Sequence, residues 1–166
     1  MGMVGPRRGI LPGAMAPPHI RRLQASDTAE HVRMRVALWP DEDARDLAAE
    51  SAPMRADPNQ VVFVAERENG LLCGMVEAGV RPFANGVDEQ PCAFVEGWWV
   101  DPDMRRTGVG RALIAAVEGW AHDRGFHELG SDALLDNLVS HQAHRALGFE
   151  ERERTVAFRK RLERLQ

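Results

Sequence analysis

Apolar residues in Gly108–Arg124 recur at helical spacing: Val109, Leu113, Val117 and Trp120 fall on one stripe, and Gly125 stands just past the last turn as a stop. The spacing predicts an amphipathic helix. Elsewhere short β-branched runs alternate with turn residues. Ile20–Leu23 reads as a first strand, with Ser26 or Asp27 placed to cap a helix that runs to about Leu38 and ends at Pro40. A second helix over Asp43–Met54 precedes the breakers Asp57-Pro58. Gln60–Ala65 and Leu71–Val80 read as strands joined by the Asn69-Gly70 turn, and Asn85-Gly86 marks another loop. Pro91–Val100 is the central strand and Phe126–Ser131 the next. Asn137–Leu147 is a helix ended by Gly148, and Thr155–Arg159 a last strand. The order β-α-α-β-β-β-α-β-α-β is that of an α/β (α+β) single domain, expected over 19–166.

Composition narrows the classes of function. A chain of 166 residues is long enough for one real core, and a net charge of −4 argues against a nucleic-acid partner. Of the 21 basic residues all but Lys160 are Arg. Cys73 and Cys92 are too few for a disulfide framework or a metal site, so no metal is expected and a reduced, cytoplasmic setting is. No apolar run approaches the roughly 20 residues that span a bilayer. Residues 1–18 are rich in Gly and Pro without a continuous apolar stretch; they read as a disordered leader, with Met15 as an alternative start.

The chemistry concentrates at 94–111. An apolar strand ends in Val100, turns at Asp101-Pro102, and opens through Arg105-Arg106-Thr107-Gly108-Val109-Gly110 into the long helix. The amides of a first helical turn lack partners and the helix dipole favours an anion there, so a strand, a Gly-rich turn and a helix start suit a pyrophosphate. An ordinary helix start would look similar. A dinucleotide fingerprint would need a third glycine where Leu113 stands, within a parallel unit; a phosphate-cradling Gly-Lys-Ser/Thr is absent.

What remains, Arg-x-x-Gly-x-Gly after a strand ending Val-x-Pro, resembles the GNAT superfamily of N-acetyltransferases. Arg105, Gly108 and Gly110 match its Gln/Arg-x-x-Gly-x-Gly/Ala signature, and Asn137 and Gly148-Phe149 its later Asn and terminal Gly-Phe. The segments Leu38-Trp39-Pro40, Asn85-Gly86, Val95-Glu96-Gly97, Ser131-Asp132 and His144-x-x-Leu147-Gly148-Phe149-Glu150 resemble the bacterial aminoglycoside 6′-N-acetyltransferases. The resemblance implies a GNAT fold with a mixed, mostly antiparallel sheet, acetyl-CoA as co-substrate, a cationic amino-sugar or other small amine as acceptor, and a homodimer. It places the cofactor along Trp98, Trp99 and Val100 and on Arg105, Arg106, Thr107, Gly108, Val109, Gly110 and Arg111, with Asn137 nearby.

Charge sets the acceptor side. Residues 77–103 hold six acids (Glu77, Asp88, Glu89, Glu96, Asp101, Asp103) and one base, Arg81; residues 104–111 hold three bases and no acid. A site joining an anionic cofactor to a cationic amine needs that division, although such acids are as often solvated loop charges. Strand alternation puts Phe94, Glu96, Trp98 and Val100 on one face, where a carboxylate is desolvated and its pKa raised. Glu96 is therefore expected to hold the ammonium and accept its proton, with a structural salt bridge as the competing reading. The resemblance makes Asp132 an acceptor-binding second base, with helix capping as the alternative role, one that Asp136 also suits. His144 stands where many members carry a tyrosine that protonates the leaving thiolate; a surface histidine, or an unassisted thiolate, is the alternative. Trp39 and Phe83 are expected to wall the acceptor pocket, and Glu153 to match an acid that relatives donate near the dimer interface. The functions carried forward are 6′-acetylation of aminoglycosides, acetylation of another small amine such as a polyamine, or a catalytically weak acyl-CoA-binding module.

Overall fold

The structure, a computed structural model, describes residues 18–162. Apart from Pro18, the expected leader lies outside the described residues, as does Met15. Five strands form one sheet in chain order: β1 (His19–Arg22), β2 (Gln60–Glu66), β3 (Leu72–Arg81), β4 (Cys92–Val100) and β5 (Leu129–Ser131). The first three pairings are antiparallel and β4–β5 is parallel, as the mixed sheet requires. Four α-helices flank it: α1 (Thr28–Leu38), α2 (Ala44–Ala56), α3 (Val109–His122) and α4 (Leu138–Ala146).

The α3 stripe packs as its spacing predicts. Val109, Leu113, Val117 and Trp120 are all buried against Val76, Ala93 and Val95 on one face of the sheet. On the other face Met34 of α1 joins Leu23, Val62, Val64, Leu72 and Met75. At α1 the expected side-chain cap is replaced. Arg21 donates to both oxygens of Asp27 (2.6 and 3.0 Å), a short 3₁₀ turn spans Ala25–Asp27, and the helix begins at Thr28. Asp43 does cap α2, accepting from Arg45 N at 2.8 Å, and that helix carries Pro53 inside it on the way to Ala56.

Two expectations fail for want of a partner strand. The strand read over Phe126–Ser131 shrinks to Leu129–Ser131, because only Ala93–Val95 of β4 lie opposite, while Phe126 N turns back to Ala121 O (3.1 Å) and closes α3. No strand forms over Thr155–Arg159: Val156 and Phe158 alternate as a strand would, yet stand 69% and 93% exposed. A period-2 pattern makes a ladder only where a neighbouring edge offers amides and carbonyls.

The third correction is a bulge in β4. Glu77 of β3 pairs with Gly97 and Ala78 with Val95, so Glu96 is an extra residue without an opposite number. The bulge reverses the alternation across it. Ala93, Val95, Trp98 and Val100 share the α3 face, Trp99 packs toward α1, and Phe94 joins Ala84 and Cys92 in a separate cluster. Phe94, Glu96, Trp98 and Val100 therefore do not share a face.

Candidate active site

β4 outruns β5. Their last pair is Val95 with Ser131, so Glu96–Val100 keep β3 on one side and have no strand on the other. A β-strand with one free edge presents unpaired amides and carbonyls to anything extended that lies beside it. Across this opening stands His144 of α4, edge-on to Trp98 (centroids 5.6 Å apart) and to Phe149 (5.1 Å). Its Nδ1 lies 2.8 Å from the Ser140 carbonyl, which only accepts, so Nδ1 carries a proton; Nε2, 2.8 Å from Ser131 Oγ, accepts from that hydroxyl in the neutral ring. Ser131, noted in the sequence only beside Asp132 for its resemblance, was given no role there, since no spacing ties it to His144.

At the end of β4 the chain turns through a 3₁₀ segment at Pro102–Met104 into the cationic loop. Arg106 has φ +63° and Gly108 φ +96°, left-handed conformations that turn successive amides toward one side, as anion-binding concavities do. The amides of Arg105–Gly108 make no backbone hydrogen bond among the described residues, and a side chain built at Gly108 would meet open space. Gly110 is needed for a different reason: its Cβ would lie 2.6 Å from Trp98 Cζ2. Of the three arginines, Arg105 donates to the Val100 carbonyl (3.0 Å) and stacks over Trp99, and Arg111 donates to the Ala146 carbonyl of α4 (3.0 Å). Arg106 is exposed. Thr107 Oγ1 donates to Met104 O at 2.7 Å and Val109 is core. The Trp98 indole N–H is buried without a partner among the described residues. Trp99 sends its indole to the opposite face, where Nε1 donates to Asp101 at 3.0 Å, so only its backbone faces the opening.

Asp101 holds this turn. Burial pushes its carboxyl upward, but Arg33 (3.0 and 3.2 Å), Trp99 and Arg67 outweigh it and hold it below the usual carboxylate range. Asn137 caps α4, its side-chain oxygen accepting from Ser140 N at 3.1 Å; neither Asp132 nor Asp136 does so. Asp132 follows β5 directly and is exposed.

The acceptor side differs from expectation at Glu96. As the bulged residue it is exposed, its side chain 35% accessible, so the burial argument does not apply. Arg81 grips it with both arms of its guanidinium, Nε to Oε1 at 2.8 Å and Nη2 to Oε2. Four of the other five acids are engaged elsewhere by side-chain contacts to bases: Glu77 with His31 and Arg35, Asp88 with Arg152, Asp101 with Arg33 and Arg67, Asp103 with Arg67. Glu89 accepts from the backbone of His127 and Glu128. The charge division of the sequence is thus carried at the opening by Glu96 and Asp132. Trp39 does reach the site: a Cβ on Gly97 would lie 2.5 Å from its Cη2, so the ring lies flush on the strand beside the bulge. Phe83 is 66% exposed, and Glu153 lies exposed in the tail, outside any element.

Behind Trp39 lies a buried polar set that the sequence left among its loop acids. His31 is fully enclosed, with Nδ1 2.8 Å from Ser51 Oγ and Nε2 2.7 Å from Glu77 Oε1. Arg35 Nε sits 2.9 Å from the same oxygen, close enough for charge attraction but not aimed for a hydrogen bond, and its guanidinium lies 5.2 Å from the Trp39 ring centre.

Comparison with known proteins agrees with this geometry. The model of the acetyltransferase (GNAT) family matches residues 22–149. The aminoglycoside N(6′)-acetyltransferase type 1 of Stenotrophomonas maltophilia is 43% identical over 147 residues, 88% of this chain and 95% of that protein. The crystal structure of aminoglycoside 6′-N-acetyltransferase AAC(6′)-Ih from Acinetobacter baumannii superposes with a TM-score of 0.81 at 35% identity, over 87% of this chain and 99% of that one. AAC(6′)-Iy in complex with the bisubstrate analogue CoA-S-monomethyl-acetylneamine gives 0.82 at 34%, over 87% and 98%. The chain belongs to the acetyltransferase (GNAT) family, alongside aminoglycoside 6′-N-acetyltransferases.

Proposed function

We propose that this chain transfers the acetyl group of acetyl-CoA to the 6′-amine of aminoglycosides by direct attack in a ternary complex, and so confers resistance to them. The observation that carries the reading is the opening where β4 outruns β5, with an amide-lined cationic loop at one end and the carboxylates of Glu96 and Asp132 at the other. Pantetheine suits the free edge of Trp98–Val100, and the pyrophosphate the amides of Arg105–Gly110. Glu96 and Asp132 hold the acceptor ammonium, and Glu96 takes its proton directly or through one water. The neutral nitrogen attacks the thioester carbon, and a backbone N–H near Trp99 stabilises the oxyanion of the tetrahedral adduct. The adduct collapses with loss of the C–S bond while the nitrogen's surplus proton passes to water or to the departing thiolate. The thiolate leaves as it is, or takes a proton from an imidazolium at His144 through the Ser131 hydroxyl. Neither cysteine suits an acyl intermediate: Cys73 and Cys92 are both buried, and burial raises both thiols.

Acceptor panels test the reading. Thiol release from acetyl-CoA is expected with aminoglycosides bearing a 6′-amine and not with those bearing a 6′-hydroxyl, and expression should protect a susceptible strain against the first group alone. Turnover of diamines or peptides without aminoglycosides would overturn the acceptor assignment; tight acetyl-CoA binding without any turnover would overturn the enzyme.

The cofactor side has its own variant. Gly110→Ala drives a methyl group into the Trp98 indole, which is set between Gly110 and His144. Overpacking of this kind costs about 1–3 kcal/mol. Acetyl-CoA affinity should fall several-fold in calorimetry while acceptor affinity changes little.

Two copies are expected to associate. The exposed apolar residues Leu134, Leu135, Leu138 and Val139 around α4, together with Val156 and Phe158 in the tail, support that reading, since an alternating segment without a strand partner is suited to pair with another chain. Action in the cytoplasm accords with two free thiols. Among the described residues no helix is long and apolar enough to cross a membrane, and no cluster of His, Cys, Asp or Glu could hold a metal.

A further inference from the structure

Arg81 is the one base among the acids of 77–103, and it is found on the one carboxylate of that stretch left at the opening. Its contact with Glu96 is the fork-to-fork arrangement in which a guanidinium matches both carboxylate oxygens. The same guanidinium lies over the face of Phe94, its central carbon 3.6 Å from the ring centre. Glu96 drives the Arg81 pKa upward against the opposing effect of desolvation, and the charge of Asp132 adds to the rise, so Arg81 stands in the field of both acids. Arg81 and Glu96 are about equally open to solvent, at 36% and 35% of their side chains.

That position is the one an acceptor ammonium needs. The bulge turns Glu96 outward, and each of its two oxygens already accepts from a cation belonging to the chain. We propose that Arg81 is a resident cation on the acceptor carboxylate: it occupies the ammonium position in the free enzyme, competes with the incoming amine, and gives way when the amine binds. This rests on the acetyltransferase reading above.

Three properties make displacement feasible. A half-exposed ion pair is held weakly, because water and salt screen it, so a ligand with several cationic groups can break it. The displaced guanidinium keeps a second home on the Phe94 ring, so it need not be released into solvent. The exchange is cation for cation, so Glu96 is never left bare; a neutral group in place of the amine would strand the charge. Arg81 is thereby specificity-determining: only an acceptor that brings its own positive charge restores what it displaces.

The test uses Arg81→Met, which keeps an apolar stem against Phe94 and removes the charge. Calorimetry with CoA saturating should show a 6′-amine aminoglycoside binding about threefold to fivefold more tightly than to the unaltered chain, the fold-change equivalent to losing one exposed competing pair. The acceptor KM should fall by a similar factor, with acetyl-CoA affinity unchanged as the check on folding. Methylguanidinium supplies the second measurement. It should inhibit Arg81→Met competitively against the acceptor, by refilling the vacated place, at concentrations that leave the unaltered enzyme unaffected. Acceptor affinity that is unchanged or weaker in Arg81→Met would overturn the proposal, and so would equal inhibition of both proteins by methylguanidinium. The calorimetric arm reads acceptor binding without turnover, so an aminoglycoside that binds but is never acetylated would defeat the acetyltransferase reading and leave this one standing or falling on its own.

Discussion

Glu96→Gln should lower kcat/KM for a 6′-amine acceptor at least about a hundredfold at neutral pH, with acetyl-CoA binding untouched. A primary amine is mostly protonated at that pH and cannot attack until it loses its proton; a positioned base contributes about 10²–10⁴ to such a step. The substitution keeps the size and one acceptor oxygen of Glu96 and removes the charge and the basicity. Glu96 is the bulged residue of β4 and has no residue of β3 opposite it. The deficit should shrink as pH rises, since solvent then deprotonates the amine before it binds. A flat ratio of variant to unaltered enzyme from pH 6 to 9, or an unchanged kcat/KM at neutral pH, removes Glu96 from proton transfer. A raised KM with kcat intact would leave it as an anchor alone, with Asp132 as the base to examine next.

The largest loss of stability is expected from Glu77→Gln. The carboxylate is fully buried between His31 Nε2 and the guanidinium of Arg35, and Arg35 is itself enclosed, its Nη1 donating to Leu47 O at 2.8 Å. Removing one partner of a buried ionic set costs about 3–5 kcal/mol; the lower end is expected here, because Arg35 keeps its Nη2 bond to Glu50 at 2.7 Å. That is a large share of the roughly 5–15 kcal/mol that holds a domain together. The melting temperature should fall by about 10 °C, as domains of this size lose about 2–4 °C per kcal/mol. Adding Arg35→Met should recover part of the loss, because the buried guanidinium nitrogen that faced Glu77 is then gone. The effect should also reach the site. Arg35 stacks on Trp39, and Trp39 lies flush on Gly97 beside Glu96, so the acceptor KM should rise while the acetyl-CoA KM stays put. If the double variant melts no higher than Glu77→Gln, the cost lies in packing rather than in unpaired charge.

How far the sequence reached is clearest by comparing segments. The α3 stripe, the Gly108–Gly110 turn and the Asn69-Gly70 hairpin were legible because each is settled by residues within a few positions: spacing decides a helical face, and φ of +96° at Gly108 or +82° at Gly70 asks for glycine where the chain turns. Arg81 with Glu96 was not legible, although both residues were noticed, because they meet across two strands 15 positions apart in a register that the bulge resets. His31 with Glu77, 46 positions apart, carried no local signal at all. The strand expected at Thr155–Arg159 failed for a related reason: its pattern was right, but a pattern does not provide the edge to pair with.

By itself the sequence determined the local turns and helices, the placing of an anion-binding loop after a central strand, and, through its motifs, the acetyltransferase family. Only the tertiary structure decided that β4 outruns β5 and opens a free edge, that Glu96 is turned outward and held by Arg81, and that Glu77 belongs to the core rather than to the charged rim. The physical reason is the range of the interactions. Backbone conformation and helical periodicity are set by neighbours in the chain. Strand register, ion pairing and burial are set by whatever the sheet brings alongside, and one extra residue in β4 was enough to reverse which side chains share the α3 face of the sheet.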